Sequence, residues 1–338
     1  MSTSVIFRRL STLFMPAALL MLTSCSASES YRQCEGVVWG TVFHITYKSD
    51  KILDDSIHKE MQKVEMSLSP FNDSSLISRI NRGETAATDS MFRTVFFTSA
   101  KINGISSGKF DPTVAPLVNL WGFGYKKNDN TPSQADIDSI LPTVGIRLCS
   151  IDGNGHLTKK HPATEFNFSA ITKGLGCDMI AGMLKRNGCN DYMIEIGGDI
   201  AIAGKNHRGN PWRIMIDSPI DNDTAVIHKP MTVITPGDGG IATSGNYRNF
   251  KDTGNGRVWH TIDPITGFPA KTATISATVI APTAMEADAL ATACLTMSAD
   301  SSLSMIDSYP HSAVLLITAD SISGQWKTLT SSRFPQSE

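Results

Sequence analysis

The stretch TISATVIAPTAMEADALATACL, residues 274–295, contains the transition that decides the fold. TISATVIAP is rich in β-branched residues and predicts a strand over residues 274–282. MEADALATACL is built largely from alanine and leucine without glycine or proline, and it predicts a helix over residues 285–295. A strand that leads directly into a helix is typical of folds that combine a sheet with helices around one core.

The predicted helix carries polar residues that its apolar character does not explain. Because a helix advances about 100° per residue, Asp288 and Thr292 share one face, whereas Glu286 lies about 200° from Asp288 and is expected to face water. An acid near a helix start ordinarily complements the helix dipole, and that interpretation stays open for Asp288. The alanines around Asp288 favour a second interpretation, in which its carboxylate and the Thr292 hydroxyl leave room for a cation or a phosphate.

Strands and helices alternate along the rest of the chain. The patterns predict helices over residues 54–69, 74–81, 91–108 and 172–186. They predict strands over 37–49, bent or paired around Gly40, on both sides of a glycine break in 191–204, and over 212–219, 312–320 and 325–332. The expected fold class is therefore α/β (α+β), with mixed sheets flanked by helices in a single large domain that has room for two lobes.

The composition gives no sign of a nucleic-acid partner. The 338 residues have a formal net charge of −2 and no basic stripe, so no surface of the chain is expected to attract a polyanion. Hydrophobic residues make up 41% of the chain, which is enough for a sizeable core. The six cysteines contain no C-x-x-C spacing, so neither a zinc site nor a dithiol redox motif is expected.

The first residues have the features of a secretory signal. Arg8 and Arg9 precede the mostly apolar run Leu10–Leu22, and LTSC at residues 22–25 resembles a bacterial lipobox. We therefore expect a lipoprotein signal peptide over residues 1–24, lipidation at Cys25, a tether over 25–36 and the functional domain over 37–338. An uncleaved anchor is the alternative. The expected location is extracytoplasmic, at the periplasmic face of a bacterial membrane to which the lipid anchors the chain.

Glycines cluster in two stretches, the first of which directly follows a predicted strand. EIGGDI at residues 195–200 and ITPGDGGIATSGNY at 234–247 allow backbone N–H groups to approach a phosphate closely. Neither stretch matches a P-loop or a G-x-G-x-x-G fingerprint. Turns without a ligand are the commoner case, so these glycines alone identify no site.

Aromatic residues and a histidine mark two further stretches. FDPTVAPLVNLWGFG at residues 110–124 places Trp121 and Phe123 beside glycines, which suits either a flat ring ligand or an aromatic core plug. RVWHTIDPITGFPA at residues 257–270 contains His260, whose imidazole can accept a proton near neutral pH. A lone histidine on a strand is more often structural, so both interpretations stay open.

Taken in order, these stretches resemble the FAD:protein FMN transferases, the flavin transferases of the ApbE family. The resemblance covers nearly the whole chain after the signal. The matching pieces are WGT (39–41), FDPTVAPLVNLWGFG (110–124), FNFSAITKGLGCD (166–178), IEIGGDI (194–200), IATSGNYRNF (241–250), HTIDPITGFPA (260–270) and TVIAPTAMEADALATA (278–293).

The resemblance implies an activity and its residues. Members of the family bind FAD and a divalent metal, usually magnesium, and move the FMN half of FAD onto a threonine or serine hydroxyl of a target protein with release of AMP. For this chain that implies FAD as substrate, Mg²⁺ as cofactor and exported acceptor proteins as partners. His260 matches the position assigned to proton abstraction. The implied metal site uses Asp288 and Thr292, the backbone oxygen of Ala170 and, as a further candidate, that of Ala291. The implied FAD contacts are Trp39, Phe71, Trp121, Gly122, Phe123, Asn167, Lys173 and Ile262.

Three positions depart from the family pattern. Trp39 stands where methionine is usual, and Phe71 stands where tyrosine is usual. Both keep an apolar flat surface, so stacking on a ring is still expected. Asn167 replaces the usual aspartate, which removes a charge but keeps an acceptor, and this change is expected to affect FAD affinity or metal dependence.

Two other functions are compatible with the same residues. A hydrolase would split FAD into FMN and AMP, with water in place of the protein hydroxyl. A flavin-binding or flavin-storage lipoprotein would catalyse nothing. His260 and the intact EADALAT helix argue against pure storage.

Overall fold

The computed structural model describes residues 30–126, 128, 130–219, 230–246, 250–253, 256–319 and 325–336. The predicted signal peptide over residues 1–24, the predicted lipidation site Cys25 and the start of the predicted tether lie outside these residues. The later part of the tether, residues 30–36, is wrong as a tether, because these residues pair with the next strand. The pairing register gives the reason: every residue from Ser30 to Val38 has a partner on that strand.

The described residues form eight α-helices and fourteen β-strands. The helices are α1 (Asp54–Leu68), α2 (Leu76–Asn81), α3 (Ser90–Ile105), α4 (Ala115–Leu120), α5 (Gln134–Ile140), α6 (Ser169–Arg186), α7 (Ala284–Thr296) and α8 (Ala299–Ser308). The strands are β1 (Ser30–Val38), β2 (Thr41–Ser49), β3 (Cys149–Ile151), β4 (Leu157–Lys159), β5 (Tyr192–Ile196), β6 (Asp199–Ala203), β7 (Ile214–Asp217), β8 (Pro230–Ile234), β9 (Gly239–Gly245), β10 (Phe250–Thr253), β11 (Gly256–Trp259), β12 (Thr274–Ala281), β13 (Ala313–Ala319) and β14 (Trp326–Thr330). None of the described helices is both long enough and apolar enough to cross a bilayer.

The main sheet has eight strands in the order β1-β2-β5-β6-β9-β12-β13-β14. Each described pairing within it is antiparallel. The predicted combination of sheet and helices in a single domain is confirmed, and the antiparallel pairing makes the fold α+β. Strand β12 continues almost directly into α7, as the opening stretch of sequence predicts.

Helices cover one face of the sheet. Side chains of α7 such as Leu290 pack with Val279 of β12 in the largest core cluster. On the other face, the β7–β8 ribbon contributes Ile214 and Ile234 to a separate cluster with Ile241 of β9. Because α6 and α7 lie against the middle of the sheet, polar residues on their facing sides are placed deep in the molecule.

The β1–β2 hairpin carries Trp39 to the side of α6. Trp39 and Gly40 occupy the turn with φ of +50° and +75°, so the predicted strand pair around Gly40 is confirmed. The Trp39 ring lies so close to Gly176 that a Cβ on this glycine would be 2.5 Å from the ring atom Cη2. Glycine at 176 therefore lets the tryptophan pack against the helix backbone.

Candidate active site

The crossing of α6 and α7 brings the predicted polar residues together. Gly174 of α6 packs so closely on the Ala284 backbone at the start of α7 that a Cβ there would overlap it. Gly240 of β9 lies against the same turn in the same way. Helix α7 is thus held between α6 and β9, and its Asp288 side chain points at α6.

Asp288 shares the Lys173 ammonium with a second buried acid, Asp199 of β6. Lys173 Nζ lies 2.8 Å from Asp199 Oδ2 and 3.5 Å from Asp288 Oδ2. Both acids are 2% exposed, so both carboxylates are held out of water. The contact of Asp199 Oδ2 is an ion pair only, because this atom has no hydrogen bond of good geometry. The result is one ammonium facing two buried carboxylates.

Burial and charge act on these groups in opposite directions. Burial raises the pKa of Asp199 well above its usual range, and the charge of Asp288 raises it further, against the lowering effect of Lys173. Burial would lower the pKa of Lys173, but the charges of Asp199 and Asp288 outweigh it, so the pKa of Lys173 lies above its usual range. Lys173 therefore remains a cation.

Thr292 lies one turn beyond Asp288 on α7, where the sequence predicts it. Its Oγ1 lies 3.2 Å from Ser244 Oγ on β9. Both threonine and serine oxygens can bind a hard cation or donate to a phosphate. The face of α7 that carries Asp288 is thus lined by hydroxyl groups as well as by carboxylates.

The two alanines whose carbonyl oxygens are candidate metal ligands lie in different helices. Ala170 is in the first turn of α6, and the Gly174 N–H that its carbonyl would ordinarily accept also donates to Asp288 Oδ2 at 3.3 Å. The Ala170 carbonyl therefore lies near the Asp288 carboxylate. Ala291 is inside α7 with a fully buried methyl group, where a carbonyl normally accepts the N–H four residues on.

The first turn of α7 is capped from two directions. Thr283 Oγ1 accepts the Glu286 N–H at 3.2 Å. Asp178 of α6 accepts the Ala284 N–H at Oδ1, 3.0 Å, and the Met285 N–H at Oδ2, 2.9 Å. Burial raises the pKa of Asp178 to about 6, even though these two N–H groups favour its ionised form.

Glu286 does not face open water, contrary to the expectation from helix geometry. Its side chain is 17% exposed, and Oε1 lies 3.4 Å from Lys101 Nζ on α3. The hydroxyl of Tyr309, which follows α8, donates to the same oxygen at 2.5 Å. Helix periodicity gives only a direction around α7, and it does not show that α3 and the end of α8 pack over that side.

Trp121 and Ile262 are members of a buried apolar cluster. Trp121 is 8% exposed and Ile262 is 4% exposed, and both pack with Leu117 and Ile137. Trp121 Nε1 donates to the Gly267 carbonyl at 2.8 Å. Of the two interpretations that the sequence left open for Trp121, this geometry favours the core plug, which would shape a flavin site from behind.

His260 and Phe123 lie side by side in front of this cluster. Their rings meet edge to face with centroids 6.4 Å apart, and both side chains are half-buried. Lys251 Nζ lies 5.5 Å from the centroid of the Phe123 ring. The neighbouring Gly122 has φ of +75°, a conformation that suits glycine, and it turns the chain between Trp121 and Phe123.

Phe71 is the most exposed of the predicted flavin contacts. It is 68% exposed, and its ring meets that of Tyr125 edge to face at 6.2 Å. Tyr125 is held in place by a 2.7 Å hydrogen bond to Glu165 Oε2. A large exposed ring with a fixed neighbour is suited to stacking on a flat ligand.

Asn167 forms hydrogen bonds within the protein through its side-chain oxygen and its backbone N–H. Its Oδ1 accepts the Ser169 N–H at 2.9 Å at the start of α6, and its own N–H donates to the Pro112 carbonyl at 2.7 Å. An aspartate would make the same cap with an added charge. The replacement therefore keeps the start of α6 in place and leaves one negative charge fewer near it.

Strand β9 connects the histidine to the acid cluster. Ser244 contacts Thr292, and two residues further on, Asn246 Oδ1 accepts the Thr261 hydroxyl at 2.7 Å. Asn246 directly follows Gly245, the last residue of β9. Thr261 directly follows His260 in the chain. Both the segment that carries His260 and the helix that carries Thr292 therefore contact the short stretch 244–246.

The donor atoms at this centre suit a hard divalent cation. Asp288 and Thr292 offer only oxygen, and Mg²⁺ prefers carboxylate, hydroxyl and phosphate oxygens. Asp199 Oδ2 is paired with Lys173 and adds a second buried acid beside these atoms. The described residues contain no cluster of three or more His, Cys, Asp or Glu side chains that could hold a metal ion. The donor set fits a cation that shares its shell with a ligand phosphate.

A large cavity lies elsewhere. It has a volume of about 1360 Å³ and is lined by the end of α3, the 263–273 segment and α8. None of the predicted site residues lines it. We place the candidate site by its donor atoms rather than by cavity size, because the cavity holds no comparable set of buried acids.

Comparison with known proteins shows the family of the chain. A family model described as ApbE family matches residues 39–316. The chain belongs to the ApbE family. A FAD:protein FMN transferase of Vibrio cholerae is 33% identical over 90% of this chain and 92% of its own length, and one of Haemophilus influenzae is 31% identical over 90% and 91%. The solved structure of the flavin transferase ApbE from Vibrio cholerae superposes with a TM-score of 0.79 at 33% identity, covering 90% of this chain and 98% of that chain.

Sequence reasoning missed two residues of the centre. The local patterns indicate no role for Asp199 in IEIGGDI or for Ser244 in the glycine-rich stretch. The available signal for Asp199 was an acid directly after two glycines and before an apolar strand. Its partner is Lys173, 26 positions earlier in the chain, and nothing in either local pattern indicates that contact.

Proposed function

We propose that the chain is a FAD:protein FMN transferase that moves FMN from FAD onto a threonine or serine hydroxyl of a target protein and releases AMP. One observation carries the proposal. The chain matches the ApbE family over residues 39–316. In it, the buried Asp288 carboxylate of α7 faces Lys173, and the hydroxyl of Thr292 lies one turn further along the same face of the helix. That arrangement suits a diphosphate and a cation better than it suits an apolar ligand.

The reaction joins the hydroxyl oxygen of the acceptor to the FMN phosphorus and breaks the anhydride bond to AMP. His260 would accept the proton of that hydroxyl as the new bond forms, a role worth typically about 10²–10⁴-fold in rate. Phe123 lies edge to face beside the imidazole. Lys173 would pair with a phosphate oxygen and hold the diphosphate against α6.

We propose that Asp288 and Thr292, with the Ala170 carbonyl and Ala291 as the further candidate, hold Mg²⁺. When bound, the ion would offset negative charge on the anhydride and on the departing AMP. Asp288 supplies a carboxylate that is already out of water, so its attraction for a cation is weakly screened.

The flavin would lie on the side of the aromatic residues. Phe71, Phe123 and Trp39 present rings that are exposed or half-buried. Trp121, Gly122 and Ile262 would shape the site from behind, and Asn167 would place the start of α6 beside the diphosphate. Solvent would be excluded mainly by stacking on the exposed Phe71 ring.

We further propose that lipidation at Cys25 anchors the protein at the periplasmic face of a bacterial membrane, where its acceptors are exported proteins. The lipobox-like LTSC sequence at residues 22–25 supports this proposal. The tether between the lipid and strand β1 would be short, because β1 begins at Ser30. The domain would then work close to the membrane surface.

One experiment separates the proposed transfer from its alternatives. The protein is mixed with FAD and Mg²⁺, with and without an acceptor domain that carries a threonine, and AMP, FMN and acceptor fluorescence are followed. Transfer predicts AMP only when the acceptor is present, in equal amount to the fluorescent acceptor. FMN and AMP without acceptor would indicate a hydrolase, and neither product under any condition would indicate flavin storage; both results contradict the proposal.

A further inference from the structure

Asp199 is an acid of the centre for which the proposed function gives no role. It is 2% exposed, and its Oδ2 has the Lys173 ammonium at 2.8 Å but no hydrogen bond of good geometry. A carboxylate buried without a balancing cation is strongly unfavourable, whereas a buried ion pair is tolerated. The fold therefore holds Asp199 and Lys173 as a pair.

The backbone of Asp199 is fixed from both sides. Gly197, two residues earlier, donates its N–H to the Val42 carbonyl at 3.0 Å and has φ of +58°. The Asp199 carbonyl accepts the Cys177 thiol at 3.3 Å from α6. The carboxylate consequently has a defined position relative to α6, the helix that carries Lys173.

Lys173 lies closer to Asp199 than to Asp288. The two Nζ–Oδ2 distances are 2.8 and 3.5 Å. An ammonium in full contact with Asp288 would repel any divalent cation that approaches the same carboxylate, because like charges in a buried site are poorly screened. An acid that draws the ammonium toward β6 leaves the Asp288 oxygens available.

We propose that Asp199 is a positioning residue that holds the Lys173 ammonium away from Asp288 and so permits Asp288 to accept a divalent cation. The inference rests on the cation site of the proposed function. Asp199 acts through Lys173 and is not itself a ligand of the ion. Lys173 and the cation then compete for the Asp288 carboxylate, and Asp199 favours the cation because it binds the Lys173 ammonium.

A double-mutant cycle on cation affinity tests this role without any measurement of flavin transfer. Mn²⁺ binding to the protein alone is followed by electron paramagnetic resonance for the unchanged chain, Asp199→Asn, Lys173→Met and the double variant. Asp199→Asn is expected to weaken Mn²⁺ binding about tenfold, the scale of coupling between adjacent charged groups. Lys173→Met is expected to tighten it. In the Lys173→Met background, Asp199→Asn is expected to change the affinity less than about threefold, because no ammonium remains to be positioned.

The controls distinguish positioning from general charge and from misfolding. Glu195→Gln removes a nearby negative charge on β5 that pairs with His44. Glutamine keeps an oxygen that can accept the Gly198 N–H, which Glu195 Oε1 binds at 2.8 Å, so this variant should leave Mn²⁺ affinity within about twofold. If Asp199→Asn does not fold, as judged by its thermal unfolding, the tighter binding of Lys173→Met still tests the competition. An equal effect of Asp199→Asn in both backgrounds, no effect in either, or unchanged affinity in Lys173→Met overturns the proposal.

The outcome also separates this inference from the proposed function. Asp288→Asn should abolish Mn²⁺ binding if the cation site is correct. If Asp288→Asn abolishes Mn²⁺ binding and Asp199→Asn leaves Mn²⁺ affinity unchanged, only the positioning role of Asp199 is rejected. Unchanged binding in Asp288→Asn rejects the cation site, and the positioning role with it.

Discussion

Lys173 is the residue that connects the two charged partners of the proposed site. With Asp199 and Asp288 ionised, the trio carries a net charge of −1, which favours a cation beside it. Addition of a divalent ion would make the centre positive, and a diphosphate would then be attracted in turn. If Asp288 binds the ion as proposed, the ion would also reduce the repulsion between the acids and the phosphates of FAD.

His260 is the single residue on which proton transfer is expected to depend. We predict that His260→Ala leaves FAD binding within about twofold and slows transfer by about 10²–10⁴, because the acceptor hydroxyl then loses its base. Single-turnover kinetics with a threonine-bearing acceptor measure the rate, and flavin fluorescence measures binding. His156→Ala, at a surface position with 58% side-chain exposure, is the matched control. Unchanged single-turnover kinetics in His260→Ala would remove His260 from the mechanism.

Among the secondary-structure elements, the close packing of α7 against α6 determines how near Asp288 lies to Lys173. We predict that Gly174→Ala destabilises the protein by about 1–3 kcal/mol, because the added methyl group overlaps the Ala284 backbone and pushes the helices apart. Chemical denaturation measures this loss. Gly182→Ala on the same helix is the control, since a Cβ there meets only the end of the Arg186 side chain at 3.4 Å. It should be neutral or stabilising by up to about 1 kcal/mol.

If both glycine variants were equally stable, the close approach of the helices would not be a requirement of the fold. Gly174→Ala should also weaken Mn²⁺ binding, since Asp288 is presented by α7 and faces Lys173 on α6. A variant that is destabilised but binds Mn²⁺ with unchanged affinity would contradict the link between helix packing and the cation site.

The cap that Asp178 provides for α7 makes stability depend on pH. The pKa of Asp178 is raised by burial from 3.8 to about 6, so the folded state holds a proton that the unfolded state releases more readily. Its contribution is therefore most favourable below pH 4 and is lost as pH rises through 6. A shift of about two units corresponds to about 3 kcal/mol.

Urea unfolding between pH 4 and pH 7 checks this dependence against Asp178→Asn. The variant should lose the Asp178 component of the slope, although it is expected to be less stable overall, because an amide has one acceptor oxygen for the two N–H groups of Ala284 and Met285. Identical slopes in both proteins would show that Asp178 does not titrate in this range.

For the whole molecule, the local patterns predicted most elements but not their contacts. Helix α7 followed from MEADALATACL, and the β1–β2 turn followed from the glycine at position 40. The short helices α5 and α8 were not predicted, since QADIDSI and ADSSLSMIDS are polar, and their few apolar residues are buried only by tertiary neighbours. The order of the sheet could not be read from the sequence either, because pairing joins strands far apart in the chain, such as β6 and β9.

In the candidate site, too, local patterns predicted the positions of some residues but not the contacts between distant segments. Asp288 and Thr292 could be placed on one face from helix geometry alone. The burial of Trp121 and the pairing of Glu286 with Tyr309 depend on packing between distant segments, which spacing does not encode. The Asp199–Lys173 pair belongs to this second class, so it became visible only in the folded chain.

The proposed membrane anchor at Cys25 lies outside the residues that the structure describes. We predict that Cys25→Ala abolishes incorporation of an alkyne-labelled fatty acid during expression in a bacterial host, because the thiol of Cys25 is the proposed attachment point. Cys34→Ala is the matched control and should keep the label, since Cys34 is a buried residue of β1. Label retained in Cys25→Ala, or absent from the unchanged protein, would contradict the proposal.

The central claim is that Asp288 and Thr292 hold the divalent ion that makes FAD reactive. Anomalous diffraction from crystals grown with Mn²⁺ and FAD locates that ion most directly. The account predicts an anomalous peak within coordination distance of Asp288 Oδ and Thr292 Oγ1, with Lys173 remaining beside Asp199. A peak elsewhere, with Asp288 still bonded only to Lys173 and the Gly174 N–H, would contradict it.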